Sequence, residues 1–123
     1  MEYSPTILLV HSPHTAWGDL IDELRALPLP VQVATSLAEA ELCLCNQRPD
    51  VVMLDGSFDR GIELLLHARQ TATGVLLVTL RKLRGEGGHY DATLAGEQPT
   101  YLAPTPARQL ARLMKLYLRP AVR

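Results

Sequence analysis

A chain of 123 residues, 47% hydrophobic and 20% charged, is sized for one domain, 1–123, with a single buried core. Its net charge of -1 excludes a global pull toward nucleic acid or an anionic membrane. Cys43 and Cys45, the only cysteines, lie two apart on different sides of a helix and cannot bridge one another, and no zinc-ligand spacing is present.

The N-terminus has no signal-like pattern and no apolar run approaches about 18 residues, which points to a cytoplasmic protein with no membrane partner. Charge is divided along the chain. Nine acids and two bases precede residue 60, whereas ten bases and four acids follow from it.

Thr6-Ile7-Leu8-Leu9-Val10 is an apolar run without polar alternation, the pattern of a parallel strand buried on both faces. His11-Ser12-Pro13-His14 ends it. Trp17, Leu20, Ile21, Leu24 and Leu27 then form one helical stripe, with Thr15 as its N-cap and Pro28 and Pro30 as its stop. Val31-Gln32-Val33-Ala34 alternates like a half-exposed edge strand. Ser36 caps the next helix, Glu39 completes a capping box, and Leu37, Ala40, Cys43 and Leu44 form the inner face.

Val51-Val52-Met53-Leu54 is the second apolar run and delivers Asp55 at its carboxyl end, where open α/β sheets place their ligands. After the loop 56–61, Ile62, Leu65, Leu66 and Arg69 follow the helical period. Val75–Thr79 reads as a further buried strand. Arg81–Gly88 reads as an exposed loop, 89–95 as a short helix and Thr100–Ala103 as the last strand, ended by Pro104-Thr105-Pro106. Ala107, Leu110, Ala111, Met114, Tyr117 and Leu118 share one face of a final helix. Arg108, Arg112, Lys115 and Arg119 form a basic stripe on it, either a solvated face or an interaction surface. The stripe has no interleaved aromatics, so direct nucleic-acid binding is not expected.

Strands alternating with helices predict a three-layer α/β/α sandwich around a five-stranded parallel sheet of order 2-1-3-4-5. This order brings His11, Ser12 and Asp55 together, with Thr79 and Pro104 at the rim. On Ile7–Val10, Pro49–Asp55, Gly61–Leu65, Val75–Thr79 and Tyr101-Leu102, the chain resembles the flavodoxin-like receiver domain of two-component response regulators over nearly its whole length. The resemblance implies a phospho-acceptor at Asp55, served by a histidine kinase, and switch positions at Thr79 and Tyr101. It also implies that His11 and Ser12 replace the acid pair that holds Mg²⁺, and that Pro104 replaces the phosphate-pairing lysine.

Phosphoryl transfer depends on cancelling charge on the equatorial oxygens. Without the second carboxylate and the lysine, Mg²⁺ binding should be weak or absent. The expectation is therefore a pseudo-receiver, not an enzyme, without cofactor or metal. It would act through a protein partner or a homodimer contact on the family's fourth-helix, fifth-strand and fifth-helix face, including Arg84–His89. Two alternatives stand beside it: a working phosphorelay receiver that accepts phosphate on Asp55, and a small flavodoxin-like cofactor binder. His11 and Asp55 could also pair, or hold a transition metal with His14.

Overall fold

The computed structural model describes residues 6–14, 16–27, 30–71, 75–83, 89–94 and 100–117. Thr15, Arg84–Gly88 and Arg119 lie outside the described residues; the expected Thr15 cap is nevertheless corrected, because the N-cap position of the first helix is Trp17, with no side-chain cap bond. The elements run β1 (Ile7–Val10), α1 (Gly18–Arg25), β2 (Val31–Ala34), α2 (Leu37–Gln47), β3 (Val51–Asp55), α3 (Gly61–Thr71), β4 (Leu76–Lys82), β5 (His89–Leu94), β6 (Thr100–Pro106) and α4 (Ala107–Tyr117).

The α/β class holds, but the sheet is mixed and has six strands in the order β2-β1-β3-β4-β5-β6. β1, β2, β3 and β4 are mutually parallel, as the apolar runs predicted, and β1 and β3 are buried along their whole length. The expected all-parallel order 2-1-3-4-5 fails after β4. β5 pairs antiparallel with β4, and β6 antiparallel with β5.

The short helix expected over 89–95 is this β5 strand. Tyr90, Ala92 and Leu94 are buried on one face of it, a period of two rather than 3.6. Arg81 and Lys82, expected in a loop, continue β4. Two reversals leave β6 running in the same direction as β4, but one strand further out than a crossover helix would have placed it.

Pro104 and Pro106 do not end the last strand; β6 extends through both. β6 is the sheet edge, where a residue without a backbone N–H is tolerated.

Two apolar clusters occupy the two faces of the sheet. On one, α1 and α4 bury Trp17, Leu20, Leu24, Leu110, Ala111 and Met114 against Ile7, Leu9, Met53, Val78, Leu80, Tyr90 and Ala92. On the other, Ala40, Leu44, Leu64 and Ala68 of α2 and α3 cover Leu8, Val10, Val52, Leu54 and Leu77. This second cluster contains no residue of β5 or β6.

α2 begins as expected, with the Ser36 hydroxyl accepting from the Glu39 N–H at 3.2 Å. α3 is rotated from the expected stripe. Leu64 and Ala68 are buried, whereas Ile62 and Leu66 are exposed. The run Ile62-Glu63-Leu64-Leu65-Leu66 has apolar residues on too many sides for periodicity to choose a face. Gly61 helps fix the rotation, since a Cβ there would stand 3.2 Å from Leu54 Cδ2. Among the described residues no helix is long and apolar enough to cross a membrane.

Candidate functional site

Asp55 closes β3 and is 3% exposed. β1 and β3 are neighbours with Val10 beside Leu54, which sets the chain after Val10 over the Asp55 carboxylate. Ser12 donates its backbone N–H to Asp55 Oδ2 at 3.0 Å. On the other oxygen, Ser57 donates its backbone N–H at 2.9 Å and its hydroxyl at 2.7 Å to Oδ1. Both carboxylate oxygens are therefore engaged by the loops that follow β1 and β3. Ser57, two residues beyond the acid, was missing from the expected site; an aspartate side chain that accepts from the backbone N–H two residues on forms an Asx turn.

His11 and Ser12 do converge with Asp55, but in different ways. Ser12 acts through its backbone. His11 Nδ1 donates to the Ser12 carbonyl oxygen at 2.8 Å, and its ring stacks beside Trp17 with centroids 6.4 Å apart. His14 donates its N–H to Ser12 Oγ at 3.2 Å. Among the described residues, no cluster of three His, Cys, Asp or Glu side chains is arranged to hold a metal ion.

Thr79 and Tyr101, the expected switch positions, line the same cleft of about 550 Å³ as Asp55. Pro104, three residues further along β6 than Tyr101, is not among the residues that line it. Tyr101 is 60% exposed and donates its hydroxyl to Asp91 Oδ1 at 3.0 Å. Asp91 also accepts from Arg81 Nη2. The Arg81 hydrogen bond is the largest influence on the Asp91 carboxyl and holds it below the usual carboxylate range, against the opposing effect of burial.

A second cluster stands behind Trp17. Tyr90, fully buried, donates its hydroxyl to Asp19 Oδ1. Burial first, and then the Asp19 hydrogen bond, push the Tyr90 phenol far above its ordinary value. Lys82 donates to the Ala16 carbonyl, stands 3.8 Å from the Asp19 carboxylate and lies over the Tyr90 ring at 5.9 Å. These contacts pin the start of α1 to the end of β4. Neither cluster was foreseen, because both depend on β5. The signal was the alternation of Tyr90, Ala92 and Leu94 around Asp91 and Thr93.

On the last helix, Arg108, Arg112 and Lys115 are all exposed while Leu110, Ala111 and Met114 are buried. The basic stripe is thus presented outward. No family model matches the sequence, and no curated protein matches it.

Proposed function

We propose that this chain is a receiver-like signalling domain that works through protein contacts, without phosphorylation of Asp55. The observation that carries the reading is the engagement of both Asp55 oxygens by Ser12 and Ser57. A carboxylate whose lone pairs are taken by backbone N–H groups and a hydroxyl is a structural tie between two loops. To act as a nucleophile it would have to surrender those bonds, with no second acid following β1 to hold a compensating cation.

The partner surface in this reading is the β4–β5–β6 meander with α4. It presents Arg108, Arg112 and Lys115, a set that suits an acidic partner surface through long-range attraction.

The test is incubation with acetyl phosphate and Mg²⁺ followed by intact-mass measurement. The expected result is an unchanged mass. A stable gain of one phosphoryl group that disappears in Asp55→Asn would overturn the proposal and establish a working phosphorelay receiver.

A further inference from the structure

One face of the β4–β5–β6 meander carries an arrangement that the receiver reading does not require. Cross-strand register defines it: Thr79 stands opposite Thr93, Arg81 opposite Asp91, and Thr93 opposite Tyr101. Directly opposed residues share a face, as do residues two apart, so these five side chains rise together. They rise from the face that bears the second apolar cluster on β1 and β3, and that cluster stops short of β5.

Asp91 organises this face. Its side chain is 9% exposed, and its two oxygens receive Arg81 and Tyr101 separately. The Tyr101 ring is thereby anchored at its hydroxyl while most of its surface stays open. The Arg81 side chain is 74% exposed. It spends one of its five N–H donors on Asp91, and the rest have no other partner among the described residues. Because both side chains hang from one carboxylate, the aromatic surface and the guanidinium fork lie within the span of a single-ring ligand.

The cleft they line, about 550 Å³, falls in the range of about 300–1,000 Å³ found for small-molecule sites. It opens at the carboxyl ends of β3 and β4, where α/β sheets bind ligands. Its two acids, Asp55 and Asp91, are already engaged by donors. What remains open are N–H donors, the hydroxyl groups of Thr79 and Thr93, and an aromatic surface. Such a set calls for an acceptor joined to a ring.

We propose that this cleft binds a small aromatic or heteroaromatic anion, its ring against Tyr101 and its carboxylate or phosphate on the Arg81 guanidinium. Planar bidentate recognition of either anion is what a guanidinium does best, and stacking on a fixed aromatic ring adds selectivity. The site stands whether or not the domain is a receiver.

Trp17, the only tryptophan, also lines the cleft, so its emission reports occupancy. The experiment titrates the whole chain with AMP and with benzoate, and with adenosine and inorganic phosphate as controls lacking the anion or the ring. Trp17 emission and the backbone amide shifts of Thr93 and Tyr101 are followed. Saturable binding of AMP or benzoate is expected, at least about tenfold tighter than either control, a difference of about 1.4 kcal/mol. A response to AMP alone assigns a phosphate ester, and a response to benzoate alone a carboxylate.

Arg81→Gln and Tyr101→Ala should each weaken binding about tenfold, and Tyr101→Phe, which keeps the ring but loses its tie to Asp91, should weaken it less than Tyr101→Ala. Tyr101→Ala, at an edge-strand position, serves if Arg81→Gln fails to fold. Silence toward both aromatic anions, inorganic phosphate binding as tightly as AMP, or unchanged binding by Tyr101→Ala would each overturn the proposal.

Discussion

Replacing Asp55 by Asn removes one acceptor oxygen and puts an NH₂ donor in its place. Oδ1 accepts from the Ser57 N–H and hydroxyl, and Oδ2 accepts from the Ser12 N–H. The less costly rotamer keeps the amide oxygen on the Ser57 side and turns the NH₂ toward the Ser12 N–H, donor against donor. Stranding one buried donor costs about 1–3 kcal/mol, so Asp55→Asn should lose about that much stability. Asp55→Ala strands these donors together and should lose about 3 kcal/mol or more. The assay is urea unfolding at neutral pH, reading a fall in midpoint at unchanged slope. A double-mutant cycle of Asp55→Ala with Ser57→Ala isolates the hydroxyl bond to Oδ1. An Asp55→Asn variant as stable as the parent, or more stable, would show that the Ser12 and Ser57 bonds do not hold these loops. That is the behaviour of a carboxylate retained for chemistry at the expense of stability.

Tyr90 holds its proton in the folded state far beyond the ordinary tyrosine value of 10.0. Its contribution to stability is therefore full below about pH 10 and declines as pH rises above it; thermal melts of Tyr90→Phe should show a flattened alkaline limb. Asp91 has the opposite sign. Its folded carboxyl lies below the ordinary value of 3.8, so its contribution is present above that pH and is lost as pH falls through the lower folded value. Asp91→Asn should blunt the acid limb of the same melts. With a thiol reagent, exposed Cys45 should label before Cys43, whose thiol is raised by burial and by the Glu39 carboxylate; mass mapping of the first adduct checks the order.

Legibility in the sequence followed the strength of local constraint. Ile7–Val10 and Val51–Leu54 are apolar without interruption, and only an internal parallel strand accommodates that. The pairing of Ser36 with Glu39 is likewise a local event, visible as spacing. α4 was clear because its buried residues, Leu110, Ala111 and Met114, keep a single period.

The losses came where local signals were evenly matched. In α3, three consecutive leucines could face any way, and tertiary contact at Gly61 and Leu54 decided. In β5, an alternating βα rhythm favoured a helix, while Tyr90, Ala92 and Leu94 favoured a strand. The strand won because the α1–α4 side of the sheet had room to bury all three. The Asp91 site joins residues from three strands, Arg81, Asp91 and Tyr101, so misreading β5 concealed the whole of it. Asp55 was legible as a carboxylate at a strand end, but its engagement by Ser12 and Ser57 depends on loop conformations that no periodicity encodes.

The strand that takes the place of a crossover helix also changes how the chain should assemble. β1 cannot pair with β3 until α1, β2 and α2 have been laid down between them. β4, β5 and β6 meet their partners across short stretches of chain: Lys82 pairs with Tyr90, and Leu94 with Thr100. Loop-closure entropy favours such near contacts, and hairpins close in about 1–10 μs. The carboxyl-terminal meander is thus positioned to be an early folding unit, offering the exposed side of β4 as a template on which β3, and then β1, can dock. An early unit of that kind is open to pairing with another chain at its outer strand. Pro104 and Pro106 lie on that strand, where missing N–H groups interrupt the ladder a second molecule would need.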